Sequence, residues 1–178
     1  PKDIKCCGQP HIANGKMETA RSLAAHNVKI FNAYDLDYIV TECASCSAAL
    51  SHKNMEFLLG GLNIEDKETT FGEKVLDLTL FLTEVLDIEV PNPEMARKVK
   101  LTWHDPCHLA NAQGVKQAPR ELLKRSPGVE FIEMANANSC CGGSGTYCLT
   151  HHDLSMKILD KKMDRAMETG ANKLVTCC

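Results

Sequence analysis

The sequence has no apolar run approaching the about 18 residues that a membrane-spanning helix needs. It also has no segment with the basic, apolar and small-residue order of a secretory signal. Basic residues number 20 against 23 acidic ones and form neither a tail nor a stripe. The positive footprint of a phosphate-binding protein is therefore missing, which argues against nucleic acid as a partner. Eleven glycines and seven prolines in 178 residues are too few for a fibrous or disordered chain. What remains is an apolar content of 44%, enough for a real core in one ordinary domain or two small halves.

Cysteine is the residue in excess, with ten copies. Small secreted chains use that many for disulfides. This chain has long helical periodicities and no secretion signal, so reduced thiols serving metal or redox chemistry in a cytoplasmic setting are the expectation. It opens on Pro1, close to Cys6, and stops on Cys178. We read it as a fragment of about half a larger protein, cut at both ends inside functional sequence.

Two stretches follow one plan. In the first, Ala20, Leu23, Ala24 and Val28 share a helical stripe, a polar break follows at Asp35–Asp37, and Tyr38–Thr41 reads as a strand ending on Cys43 and Cys46. "SAALSHKNMEFLL" reads as the next helix. In the second, Leu154, Ile158, Lys161–Lys162 and Met163 mark an amphipathic helix capped by Gly170, and Lys173–Thr176 is a strand ending on Cys177–Cys178. The match of "IVTEC" with "LVTCC" indicates an internal duplication that sets Cys178 opposite Cys43.

Between these stretches, "NIEDKETTFGEK" reads as an exposed turn or insertion after Gly60–Gly61, Lys74–Leu86 as a helix, and "VPNPE" as a linker. The apolar-rich segment "VLDLTLFLTEVLDIEV" carries Asp77, Glu84 and Asp87, as an amphipathic helix on a sheet would. Val99–Trp103 reads as a strand entering the loop at Asp105-Pro106-Cys107, "APRELLKR" as a helix with proline in its first turn, and "GVEFIEM" as a strand. Strands alternating with helices predict an α/β fold. It would have two pseudo-symmetric halves, each a small, mostly parallel sheet flanked by helices, with cysteines at strand C-termini. Ligands gather at that edge in such folds.

Soft thiolates select iron–sulfur clusters, zinc or copper(I). Cys43-Ala-Ser-Cys46 alone would suit a zinc knuckle or a dithiol–disulfide enzyme. The doublets Cys6–Cys7 and Cys140–Cys141 are different, because neighbouring side chains diverge along the backbone and grip two atoms of an extended cluster better than one ion. Each doublet runs into glycine, Gly8 in one case and Gly142–Gly143 in the other, leaving room for backbone N–H groups beside sulfide. An iron–sulfur site is the favoured reading; a zinc-stabilised interaction domain without redox activity is the alternative.

The motifs "CCGQP…DYIVTECASC" and "HDPCH…APRELL…PGVE…CCGGSG…TGANKLVTCC" resemble the cysteine-rich CCG domain family. Its members include the catalytic subunit of heterodisulfide reductase and the iron–sulfur subunits of glycolate oxidase, anaerobic glycerol-3-phosphate dehydrogenase and lactate utilisation. The resemblance implies a first repeat over residues 1–92 supplying Cys6, Cys7, Cys43 and Cys46, with its leading cysteine upstream. It implies a second over 93–178 supplying Cys107, Cys140, Cys141 and Cys178, with its closing cysteine beyond the chain; Cys177 in place of Cys178 is the alternative register. Up to two non-cubane [4Fe–4S] clusters are implied in the full-length protein. A flavoprotein or ferredoxin-type subunit would be the electron-transfer partner, alongside the remainder of the same polypeptide, in a cytoplasmic complex that is at most peripheral to a membrane. The implied activity is electron relay from an organic-acid dehydrogenase or reduction of a disulfide. Gly8, Gly142 and Gly143 would back the ligands. His104 is the candidate proton donor, and a histidine bonded to its own loop is the plainer reading. Cys148 fits no motif and is expected to be a buried thiol; Trp103 is expected in the core.

Overall fold

The computed structural model describes residues 1–60, 70–90 and 98–178. The chain divides into two compact units, Pro1–Asp77 and Leu78–Cys178. Each is a small parallel sheet flanked by helices, as the alternating pattern predicts. The linker "VPNPE" lies almost wholly outside the described residues, as do Gly61 and most of "NIEDKETTFGEK". No helix among the described residues is long and apolar enough to cross a membrane.

In the first unit, helix α1 (Gln9–Ala13) follows Gly8, and α2 (Met17–Asn32) carries the predicted stripe. Ala20, Ala24, Val28 and Phe31 are buried, and so is the amide of Asn27. Strand β1 (Ile39–Thr41) leads to Cys43, which caps α3 (Ala44–Leu50). The helix expected to run on through "SAALSHKNMEFLL" is broken: Ser51 turns extended, with ψ 152°, and starts α4 (His52–Leu59). The break lets Met55, Leu58 and Leu59 join the core around Phe31 and Phe71.

Residues 70–90 depart furthest from expectation. Thr70–Lys74 form a 3₁₀ turn in which Phe71 and Gly72 are buried, not an exposed insertion. Phe71 stacks on Phe31 at 5.5 Å, and a β-carbon on Gly72 would lie 2.5 Å from the His52 amide nitrogen. The helix expected from Lys74 begins later, because Val75–Asp77 form strand β2, parallel to β1 with Ile39 opposite Val75. An alternating V-L-D segment beside a β-branched neighbour gains a ladder that an isolated helical turn would not.

The second unit opens with the helical turn α5 (Leu78–Leu80), continued as a π-turn over Phe81–Val85. Strand β3 (Val99–Trp103) is central, flanked in parallel by β4 (Val129–Phe131) and β5 (Lys173–Val175). Its last three residues are buried, Trp103 among them. Helix α6 (Cys107–Ala110) starts directly after the strand's loop, and α7 (Gln117–Arg125) carries Pro119 in its first turn. The short α8 (Tyr147–Thr150) precedes α9 (His152–Glu168), which ends at Gly170 with φ +65° as predicted.

Helix α9 does not bury the face that its apolar residues mark. Leu154 is 52% exposed and Met163 39%, while Ser155, Lys162 and Ala166 are buried. The helix lies on loop backbone, and small or hydrogen-bonding side chains fit there where leucine would not.

Candidate metal centre

In the first unit the doublet loop is held from below. The Asn27 side chain accepts the Lys5 N–H at 2.9 Å and donates to the Lys5 and Cys6 carbonyl oxygens, both at 3.2 Å. Gly8 then turns left-handed, φ +89°, and its carbonyl accepts from His11 and Ile12 to start α1. A β-carbon at Gly8 would meet Ala20 at an ordinary 3.7 Å, so the backbone conformation, more than the space, calls for glycine.

Cys43 sits two residues beyond β1, with its carbonyl accepting from Cys46 and Ser47 in the first turn of α3. This brings three of the four predicted cysteines together. Burial pushes the Cys46 thiol well up, and hydrogen bonding and charge from Cys7 and Cys43 push it the same way. Cys7 is also raised, first by burial and further by Cys6 and Cys43, against hydrogen bonds with the Gln9 backbone and the Cys46 side chain. Thiols crowded in this way resist ionising together unless a cation joins them. Cys6, next to Cys7, is exposed.

In the second unit the parallel order sends three strand ends to one edge. Cys107 follows β3, the doublet loop follows β4, and Cys178 follows β5. Backbone hydrogen bonds tie the three segments: His104 N–H to the Val175 carbonyl and Asp105 N–H to the Ala137 carbonyl, each 3.0 Å. Within the doublet loop Asn136 adopts φ +53°, which asparagine tolerates, and the Gly142 N–H reaches Cys140 Sγ at 3.3 Å. Gly142 itself has φ +82°, and a β-carbon there would lie 2.6 Å from the Ser155 carbonyl oxygen. At Gly143 it would meet Cys141 Sγ at 3.6 Å.

Four charged side chains to which the sequence reading gave no role brace this edge: Arg120, Asp105, Glu133 and Lys162. Arg120 of α7 grips both Asp105 oxygens at 2.8 Å and both Glu133 oxygens at 2.7 and 2.8 Å, while Trp103 Nε1 donates to Asp105. Burial would raise the Asp105 carboxyl, but the Arg120 and Trp103 hydrogen bonds outweigh it and hold the group low. Lys162 of α9 is buried, and its Nζ donates to the Ala137 carbonyl at 2.6 Å and the Ser139 carbonyl at 3.2 Å. Sequence periodicity placed Lys162 on a helix and nothing more. The signal that would have found it is its spacing to Cys178, equal to that of Asn27 to Cys43.

His104 is buried, and among the described residues its Nδ1 has no hydrogen-bond partner. Burial and the Lys162 charge lower its pKa, against the Ala137 backbone and Asp105. Cys148 is half-buried, its Sγ 3.7 Å from the Gly145 carbonyl oxygen. Among the described residues, which include every cysteine, no two are joined in a disulfide. No three His, Cys, Asp or Glu side chains among them are placed to hold a single metal ion.

The sequence matches the family described as the cysteine-rich CCG domain over residues 1–51 and 101–178. The chain belongs to the CCG family. It is 34% identical over 180 residues to the "Probable glycolate oxidase iron-sulfur subunit" of Bacillus subtilis, spanning 99% of this chain but 39% of that protein. It is 31% identical to "Lactate utilization protein A" of a Geobacillus species, over 98% of this chain and 71% of the relative. A third relative, one of the subunits of the "Fumarate reductase (CoM/CoB)" of Methanothermobacter marburgensis, is 31% identical over all of this chain and 33% of its own length. The CCG matches cover both doublets and every cysteine-bearing strand end described above.

Proposed function

We propose that this chain is the cluster-holding part of an iron–sulfur subunit that relays electrons from a flavin-dependent organic-acid dehydrogenase. Cys6, Cys7, Cys43 and Cys46 would hold one [4Fe–4S] group of the non-cubane type, and Cys107, Cys140, Cys141 and Cys178 a second. The observation that carries this reading is the gathering of Cys7, Cys43 and Cys46 at a strand end, with a second doublet at the corresponding edge of the other unit. The donor set fits: the thiols are soft, burial and crowding make Cys7 and Cys46 disfavour ionisation without a cation, and a backbone N–H already points at Cys140 sulfur. A bound cluster would supply one-electron redox chemistry. The chain's own part is to fix the thiolates, supply N–H groups to them and hold the doublet loops with Asn27 and Lys162.

The relatives named for glycolate oxidase and lactate utilisation support the organic-acid assignment. A second reading, reduction of a disulfide at the cluster, draws on the relative whose name includes CoM/CoB. Anaerobic purification of the full-length protein should give iron with acid-labile sulfide and an EPR signal, and the protein should accept electrons from a reduced flavoprotein. Zinc without sulfide would overturn the redox reading. Turnover of a disulfide with reduced viologen, and no exchange with a flavoprotein, would favour the second reading over the first.

A further inference from the structure

Lys162 is 2% exposed, among the most deeply buried side chains of the chain. Its ammonium donates to the carbonyl oxygens of Ala137 at 2.6 Å, Ser139 at 3.2 Å and Asn136 at 3.5 Å, and lies 3.4 Å from Ser139 Oγ. All of these acceptors are neutral. Among the described residues no carboxylate lies within ion-pair distance of it, and Asp105 is already engaged by both ends of the Arg120 fork. Burying a cation against neutral carbonyls is costly unless an anion balances it nearby. Besides Asp105, the groups that would attract it electrostatically are Cys141 and Cys140.

The other unit shows that holding the loop does not itself require charge. Asn27 and Lys162 each stand sixteen residues ahead of their strand-end cysteine, Cys43 or Cys178. Each is buried on the helix that follows its doublet, and each hydrogen-bonds the backbone just before that doublet. Asn27 does this with a neutral amide. The positive charge at the equivalent place in the second unit therefore calls for a separate reason, and a cluster with its thiolates is an anion. The second cation at the loop, Arg165, donates among the described residues to the Ser139 hydroxyl, at 2.8 Å.

We propose that Lys162 is the resident countercharge of the second cysteine set, and that this makes the second unit's cluster more easily reduced than the first unit's. The proposal rests on the iron–sulfur reading of both cysteine sets. Lys162 acts as a positioning residue and through its field; among the described residues its hydrogen bonds go to Asn136, Ala137 and Ser139 and not to a proposed ligand. Electrons entering the pair would then reside on the second unit's cluster.

The test is an EPR-monitored redox titration of the full-length protein, purified without oxygen, as wild type and as Cys46→Ser, Cys141→Ser and Lys162→Gln. Glutamine keeps an amide donor and removes the charge. We expect the signal lost in Cys141→Ser to be the one reduced first. In Lys162→Gln that signal should shift by at least tenfold in its reduction equilibrium, about 59 mV lower for one electron, while the signal lost in Cys46→Ser stays in place. A first-unit signal that is reduced before the second overturns the proposal. So does a Lys162→Gln protein that keeps its iron with both potentials unchanged. If Lys162→Gln loses its iron, the order of the two wild-type signals still decides. If a single cluster is found, its loss in Cys46→Ser overturns the proposal, and its loss in Cys141→Ser with the downward shift in Lys162→Gln supports it. A wild-type protein with neither iron nor sulfide overturns the iron–sulfur reading itself and the proposal with it.

Discussion

Gly142 and Gly8 occupy the same place after their doublets and both turn left-handed, at φ +82° and +89°, yet their surroundings differ. A left-handed non-glycine residue costs about 1–3 kcal/mol by itself. At Gly8 that is the whole expected cost of alanine, since the nearest atom lies at 3.7 Å. At Gly142 a β-carbon would also overlap the Ser155 carbonyl oxygen at 2.6 Å, and Ser155 Oγ donates back to the Gly142 carbonyl at 2.9 Å. Denaturant unfolding of the metal-free protein should therefore rank Gly142→Ala as clearly more destabilising than Gly8→Ala. The reverse order would mean that α9 is not what holds this loop. The need for glycine was legible in the motif, but the reason was not: the sequence suggests room for sulfide, whereas the structure shows a helix backbone. Contact between a loop and a helix thirteen residues away leaves no mark in composition.

His104 permits a prediction in pH. Its folded pKa lies below the ordinary 6.5, because the ring is buried beside the Lys162 ammonium. The unfolded chain then takes up the proton first, so stability is full above about 6.5 and is lost as pH falls from there through the lower folded value. In the metal-free protein, the drop in unfolding free energy between about pH 7.5 and pH 5.5 should be smaller in His104→Gln than in wild type. Equal slopes would remove His104 as a group that must charge on unfolding.

At the level of elements, α7 is fastened to the end of β3 by a single guanidinium. Arg120 and Asp105 side chains are 11% and 6% exposed, in contrast to Glu133 at 50%. Removing the arginine would strand the Asp105 carboxylate in a buried place, which typically costs about 3–5 kcal/mol. Arg120→Met should show a loss of that order in the denaturation midpoint. Arg120→Lys should recover only part of it, since a point charge cannot reproduce two forked bonds. A change under about 1 kcal/mol in Arg120→Met, the level of an exposed pair, would show that the network is a surface feature.

Two of the elements that sequence periodicity found, α2 and β3, bury a mainly apolar face. The elements it misread bury something else. Strand β2 is three residues long and makes sense only beside β1, a partner more than thirty residues earlier. Helix α9 hides serine and lysine because it packs on carbonyl groups. The break at Ser51 leaves no mark in the apolar pattern of "SAALSHKNMEFLL", since both flanking helices are apolar on one side.

For the molecule as a whole, the two compact units make a claim about stoichiometry. If each cysteine set is complete enough to hold its own cluster, losses on mutation should be separate and additive. Cys46→Ser should remove one share of the iron and sulfide in the full-length protein, because a hydroxyl is a harder and weaker donor than a thiolate. Cys141→Ser should remove another share, and the double variant should hold neither. Cys148→Ser serves as the control: its sulfur makes only a 3.7 Å contact to the Gly145 carbonyl, so iron content should match wild type. Anaerobic iron and sulfide analysis of the four variants measures all of this directly. Complete loss from Cys46→Ser alone would mean that both sets serve one cluster, because removing a donor from one of two independent sites leaves the other intact. Full retention in Cys141→Ser would remove Cys141 from the ligands and leave the second cluster to the remaining thiolates of its set.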